Sequence, residues 1–182
     1  MSRVTVKLSS TVPELFNLFR RCFKKKIPLS AIFEITYLCN LRCRHCYQAR
    51  RPGPELSYRE IQRMLDELAE LGCLYLAFTG GEPLVRKDFF KIARYARERN
   101  FALKVLTNAT LIDKDVASEL KELNFECADI SIYGATAKTH DLFTSAGGSF
   151  VKMLKGIENL KKKGVDVRLK MTINRFNVHE LT

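Results

Sequence analysis

Residues 31–46 read AIFEITYLCNLRCRHC, and the rest of the chain is read outward from this stretch. Residues 31–37 are mostly apolar, with β-branched and aromatic side chains, the composition of a β-strand. The chain then enters a polar loop holding three cysteines in eight residues, Cys39-Asn-Leu-Arg-Cys43-Arg-His-Cys46. A disulfide framework does not crowd three thiols into one loop. In an intracellular protein, crowded cysteines bind metal or do redox chemistry. A strand that delivers its chain straight into such a loop calls for a fold whose strand ends form a ligand-binding rim.

Short apolar runs alternate with longer amphipathic segments along the remainder. Residues 57–71 carry apolar side chains at 61, 64, 65, 68 and 71, a helical stripe. Ser57 and Glu60 form a capping-box pattern at its start, and Gly72 stands where a helix stops. Residues 74–79, 102–107, 128–133 and 165–173 read as further strands. Residues 89–99, 113–123 and 149–163 read as helices, with Asp113 as a cap and Gly164 as a stop. Strand-then-helix steps with short connections imply right-handed crossovers and a parallel sheet. The strands look like nearly continuous apolar runs, as when both faces are covered. A doubly wound sheet and a barrel of βα units both satisfy this pattern.

The unusual motifs all follow strands. The cysteines follow the first, Gly80-Gly81-Glu82-Pro83 the second and Thr107-Asn108-Ala109 the third, while Tyr133-Gly134 ends the fourth. Carboxyl ends of parallel strands form the binding rim in either architecture, so these loops are expected to converge on one face.

Composition bounds the function classes. Hydrophobic residues make up 46% of the 182, enough for a core, which excludes disorder and fibrous repeats. No apolar run approaches the ~20 residues of a membrane span. The start, MSRVTVKLSS, lacks the apolar stretch of a secretory signal, so the expected location is the cytoplasm. With 31 Lys+Arg against 20 Asp+Glu the net charge is +11. A basic balance suits nucleic acid, anionic membrane or acidic small molecules, or reflects a chain whose acidic part lies elsewhere. No nucleic-acid motif accompanies it, and no nucleic-acid partner is expected. Thr11-Val-Pro-Glu14 offers a helix start leading into an apolar face (Leu15, Phe16, Leu18, Phe19, Phe23) and a basic tail (Arg20, Arg21, Lys24 to Lys26). This helix is expected to pack under the sheet, its lysines suiting the C-terminal dipole, rather than to serve a membrane or polyanion. Asn177 reads as a helix cap only about one turn before the last residue. The chain is therefore expected to be the N-terminal part of a longer protein.

A cubane iron–sulfur cluster takes four cysteine ligands, one per iron. Three from one loop leave one iron open to substrate or cofactor. Zinc is the competing reading, with Cys39, Cys43, Cys46 and His45 as ligands. Adjacent His45 and Cys46 make tetrahedral closure awkward, and structural zinc draws pairs from separated segments. Cys22, Cys73 and Cys127 are isolated and read as core thiols. Iron–sulfur is favoured. A phosphate cradle at the glycine pair is a poor alternative, because neither G-x-G-x-x-G nor a P-loop pattern is present.

The cysteine loop after a first strand, with Gly80-Gly81-Glu82-Pro83 after a second, resembles the radical S-adenosylmethionine (radical SAM) superfamily. Ile130-Ser-Ile-Tyr-Gly134, Thr139-His140-Asp141 and Gly147-Gly-Ser-Phe150 are similar to members carrying a C-terminal SPASM-type domain, the branch of PqqE and anaerobic sulfatase maturases. The resemblance implies an α/β fold, a partial (βα)6-type barrel ending after its fifth strand. Residues 1–30 would be an N-terminal extension and 31–182 an incomplete core. It further implies that Cys39, Cys43 and Cys46 ligate a [4Fe–4S] cluster whose remaining iron is chelated by S-adenosylmethionine. Gly80 and Gly81 would admit the methionine moiety, Glu82 would meet its ammonium group, and Pro83 would stiffen the turn. Asn108 and Ser131 would contact its ribose or carboxylate, and His45 would pack near the cluster or adenine.

The implied reaction is reductive cleavage of S-adenosylmethionine to a 5′-deoxyadenosyl radical. That radical abstracts hydrogen from a peptide, protein or cofactor-precursor substrate, with electrons from a low-potential donor. The alternative is a non-catalytic cluster- or metal-binding scaffold. His140 and Asp141 read equally well as substrate-facing or as capping residues, and Lys170 and Thr172 as residues of the fifth strand without an assigned role.

Overall fold

The computed structural model describes residues 11–48 and 53–181. Strands β1 (Ser30–Thr36), β2 (Tyr75–Gly80), β3 (Ala102–Thr107), β4 (Cys127–Ile132) and β5 (Val167–Met171) form one parallel sheet in the order β1-β2-β3-β4-β5. Helices α1 (Thr11–Lys25), α2 (Tyr58–Glu70), α3 (Phe89–Glu98), α4 (Lys114–Glu122), α5 (Ala137–Thr144) and α6 (Ser149–Lys162) complete the framework. The sequential order separates the two candidate architectures. A doubly wound sheet reverses direction at a switch point. Here every crossover advances the same way, so right-handed connections carry the helices to one face, as in a barrel.

The local signals act as their chemistry dictates. The Ser57 hydroxyl accepts the Glu60 N–H at 3.3 Å, and the Glu60 carboxylate accepts the Ser57 N–H at 2.7 Å, closing the capping box of α2. Asp113 accepts from Asp115 and Val116 N–H groups at 3.0 and 2.8 Å, starting α4. Gly72 and Gly164 take φ of +87° and +68° just past α2 and α6.

Side chains alternate across the sheet. Phe33, Ile35, Leu76, Phe78, Leu103, Val105, Ala128 and Ile130 are buried and pack with Ile61, Leu65, Ile92, Ala96, Leu120 and Leu160 of the helices. The opposite face carries Glu34 beside Thr79, Lys104 beside Ala77, Asp129 beside Leu106 and Lys170 beside Ser131. Lys170 Nζ lies 3.5 Å from Asp129 Oδ2 on it. The expectation of strands apolar on both faces is thus corrected. Only the helix-covered face is a packed core, and the concave one is a polar barrel wall.

Three further expectations change. Thr139, His140 and Asp141 lie within α5 rather than in a loop. The sequence signal for that helix was Thr136, whose hydroxyl accepts the Thr139 N–H at 3.3 Å. Asn177 makes no side-chain cap. It is fully buried, accepts the Asn174 N–H at 2.8 Å and donates to the carbonyls of Tyr133 (3.2 Å) and Thr172 (2.9 Å), tying the exit of β5 to the end of β4. On α1, Cys22 is buried but Phe16, Phe19 and Phe23 are exposed, so these three phenylalanines are not packed beneath the sheet, while Leu15 and Leu18 of the expected face lie outside the described side chains. Among the described residues, no helix is long and apolar enough to cross a membrane.

Candidate functional site

The cysteine loop is held from both sides by backbone. Leaving β1, Thr36 hydrogen-bonds Glu55, and its hydroxyl accepts the Leu38 N–H at 3.1 Å. Arg44 N–H donates to the Phe143 carbonyl at 2.9 Å and Arg42 N–H to that of Thr144 at 3.3 Å, so the last turn of α5 braces the loop. Cys46 N–H closes onto the Cys43 carbonyl at 3.1 Å. From the other side, Gly81 and Glu82 N–H groups donate to the carbonyls of Thr36 and Leu38 at 2.9 and 2.8 Å.

That lacing explains the glycine pair. Gly80 has φ +140°, and a Cβ there would stand 2.2 Å from the Thr36 carbonyl oxygen. At Gly81 it would stand 2.2 Å from that of Leu38. The touching backbone segments by themselves require glycine at both positions, beside the expected approach of the methionine moiety. Both still line the cleft.

The cleft has a volume of about 200 Å³ and is lined by Cys39, Cys43, Cys46, His45, Gln48, Gly80, Gly81, Asn108, Ser131 and Tyr133, among others. The four strand-end motifs therefore meet. Glu82 and Pro83 are buried behind this wall and do not line it. Glu82 Oε1 accepts from Leu84 N–H (3.2 Å) and Thr107 Oγ1 (2.8 Å), and Oε2 accepts from Asn108 N–H (2.7 Å). The carboxylate, expected to meet an ammonium group, clamps the second loop to the end of β3. Burial pushes its pKa up to about 7, against the opposing pull of those three donors.

Asn108 projects into the cleft edge, donating to Asn40 Oδ1 at 2.9 Å and to Cys39 Sγ at 3.9 Å. Ser131 lines the cleft together with Tyr133. The Tyr133 pKa is pushed up to about 12, chiefly by burial, with the Ser131 contact opposing and the cysteine charges adding. The His45 ring centroid lies 4.8 Å from those of both Tyr133 and Phe143, which themselves stack at 4.8 Å. His45 therefore serves an aromatic wall, and burial lowers its pKa. Burial raises the Cys39 thiol and carries that of Cys43 up to about 12, with neighbouring thiols adding to both. These are thiols that a metal would have to deprotonate on binding.

His140 and Asp141 resolve toward structure. His140 Nδ1 accepts the Tyr133 N–H at 3.3 Å. Asp141 accepts from Gly148 N–H (2.6 Å), Ser149 Oγ (2.8 Å) and Phe150 N–H (2.8 Å), securing the start of α6. Lys170 and Thr172 do not line the cleft.

Among the described residues, no group of three or more His, Cys, Asp or Glu is arranged around a single ion. A cubane would ask each thiolate to take its own iron. A further observation concerns an organic ligand. Gln48 is 5% exposed and lines the cleft, and its Oε1 is buried without a hydrogen-bond partner among the described residues. A buried acceptor left unmatched costs about 1–3 kcal/mol, and a donor group entering the cleft would relieve it. The residues present therefore fit a cluster with an adjoining amine- or hydroxyl-bearing ligand. Gln48 and the Phe143 brace had no sequence signal, since neither belongs to a strand-end motif.

The comparisons with known proteins converge. The chain is 37% identical over 161 residues to Fe-coproporphyrin III synthase of Methanosarcina barkeri, covering 87% of this chain and 40% of that protein. It is 35% identical over 178 residues to mycofactocin maturase MftC of Mycobacterium ulcerans, covering 96% and 47%. The chain thus spans less than half the length of these relatives. Native anSMEcpe with bound AdoMet superposes with a TM-score of 0.68 at 26% identity, over 78% of this chain and 43% of that one. Streptococcus suis SuiB bound to precursor peptide SuiA shares the fold, with a TM-score of 0.72 at 19% identity over 100% and 43%. The family model of the radical SAM superfamily, whose cofactors are a [4Fe–4S] cluster and S-adenosylmethionine, matches residues 33–181. The stretch it matches holds the cysteine loop, the glycine-laced turn and the two further strand ends that close on one cleft, and the chain belongs to the radical SAM superfamily.

Proposed function

We propose that this chain is the core portion of a radical SAM maturase that acts on a peptide, protein or cofactor precursor. Residues 1–30 form an extension and 31–182 the core. The convergence of Cys39, Cys43 and Cys46 with Gly80, Gly81, Asn108 and Ser131 on one cleft carries the reading. When bound, the cluster and S-adenosylmethionine supply one-electron chemistry, reductive cleavage of the sulfonium followed by hydrogen abstraction from substrate.

The chain's own residues do the rest. Cys39, Cys43 and Cys46 would hold the cluster through three of its irons. Backbone at Gly80 and Gly81, with Ser131 and the Gln48 acceptor, presents polar atoms to S-adenosylmethionine. Glu82 holds the two loops in register at the cleft wall, and Pro83 starts the 3-10 turn that follows. His45, Tyr133 and Phe143 keep water from one side of the cleft. A peptide substrate is supported by the fold shared with SuiB and a tetrapyrrole by the likeness to the M. barkeri synthase. Crowded reduced thiols suit the cytoplasm, where a low-potential reductant supplies electrons.

Iron and acid-labile sulfide after anaerobic reconstitution test this reading. About four of each per chain are expected, falling to near zero in Cys39→Ser, Cys43→Ser or Cys46→Ser but not in Cys73→Ser. One zinc per chain and no sulfide would overturn it in favour of a scaffold.

A further inference from the structure

Asn108, expected to touch S-adenosylmethionine, has its side chain aimed at a cysteine. Asn108 Nδ2 donates to Cys39 Sγ at 3.9 Å and to Asn40 Oδ1 at 2.9 Å. Its Oδ1 accepts from Thr110 N–H at 2.9 Å and from Thr110 Oγ1 at 2.6 Å. Asn40 Nδ2 in turn donates to Thr110 Oγ1 at 2.8 Å, closing a ring between the cysteine loop and the loop after β3. The ring settles which way the amide points. A backbone N–H can only donate, so Oδ1 must face Thr110 and the NH2 group must face Cys39. Glu82, accepting the Asn108 backbone N–H at 2.7 Å, fixes the residue from behind. Cys39 Sγ receives a second N–H, from Leu41, at 3.4 Å.

We infer that Asn108 is a positioning residue for electron entry, its pinned side-chain amide raising the reduction potential of the cluster through the Cys39 thiolate. This rests on the reading that Cys39 ligates the cluster. Reduction adds one electron, and hence one negative charge, to the cluster and its thiolates, with no bond made or broken in the protein. An N–H dipole with its positive end toward sulfur stabilises the more negative, reduced state most, so the potential rises. A polar residue that merely braced the loop would leave the potential where it was.

The test is a dithionite titration of the reconstituted protein with mediator dyes, following the reduced cluster by electron paramagnetic resonance. It is run without S-adenosylmethionine, so that no effect passes through that ligand. Asn108→Ala is expected to keep wild-type iron and sulfide and to shift the midpoint to more negative potential. Thr110→Val, which keeps the amide but loosens the ring, is expected to shift it less in the same direction. A loaded Asn108→Ala with an unchanged or less negative midpoint overturns the inference and leaves the functional reading standing. Should Asn108→Ala fail to hold iron, Thr110→Val decides, and an unmoved midpoint there overturns it. Wild-type protein that assembles no cluster removes the functional reading itself, and the inference with it.

Discussion

The buried carboxyl of Glu82 makes a prediction about stability that needs no cofactor. Burial raises its pKa from 4.5 to about 7, so the native state holds this proton more tightly than the unfolded chain does. The sign follows from linkage. Below pH 4.5 both states are protonated and the advantage is whole. As pH rises from 4.5 to about 7 the unfolded chain ionises first, and stability falls. At about 1.4 kcal/mol per pH unit the loss across that window is about 3 kcal/mol. Glu82→Gln cannot ionise. It also sets an NH2 group against the Asn108 N–H or against the Leu84 and Thr107 donors, forfeiting at least one hydrogen bond, roughly 1–3 kcal/mol. At pH 5 the variant is therefore expected to be the less stable protein by about that amount. By pH 8 the gap narrows by about 3 kcal/mol and closes or reverses. Urea unfolding of the metal-free, thiol-reduced protein at pH 5, 6, 7 and 8, extrapolated linearly, reads this directly. A gap that stays constant or widens with pH would refute the account of Glu82 as a buried clamp.

Three other outcomes follow from the same geometry. In Gly81→Ala the new methyl would lie 2.2 Å from the Leu38 carbonyl oxygen, so the laced loops must part. A loss of about 3 kcal/mol or more in urea unfolding, together with reduced iron uptake, is expected. Ser57→Ala removes the hydroxyl half of the α2 capping box, leaving the residue-57 N–H on Glu60, and should cost about 1 kcal/mol, with cofactor binding unaffected. Gln48→Leu replaces the unmatched buried acceptor with an apolar group, so the metal-free protein should be no less stable than wild type. If the acceptor serves the ligand, the same change should weaken S-adenosylmethionine binding by calorimetry about tenfold, roughly 1.4 kcal/mol. Unchanged affinity would remove Gln48 from the ligand site.

Much of the molecule was legible in the chain because its signals are local. A capping box at Ser57 and Glu60 fixes a helix start whatever surrounds it, and the stretch 102–107 alternates into a strand observed at Ala102–Thr107. The strand-end placement of the cysteines, the glycine pair, Asn108 and Ser131 likewise announced a shared rim, and the structure brings them to one cleft. Helix α5 was less visible because it is only eight residues long, and much of its support comes from tertiary contacts through His140, Phe143 and Thr144. Strand sidedness was obscured because Ile32, Tyr75, Ala77 and Leu106 are as apolar as core residues, and only register shows that they share a face with Glu34, Lys104 and Asp129.

By itself the sequence determined residue chemistry and spacing: three thiols within one loop, glycines where a second strand ends, and a family pattern over residues 33–181. Tertiary structure alone decided direction. It turned Glu82 away from the cleft and into three hydrogen bonds, pointed the Asn108 amide at Cys39, and pressed the glycine pair against the carbonyls of Thr36 and Leu38. The physical reason is that spacing along the chain fixes which loop a side chain occupies. The partners that set its direction, Thr107 for Glu82 and Cys39 for Asn108, lie 25 and 69 residues away, and their placement exists only once the sheet has formed.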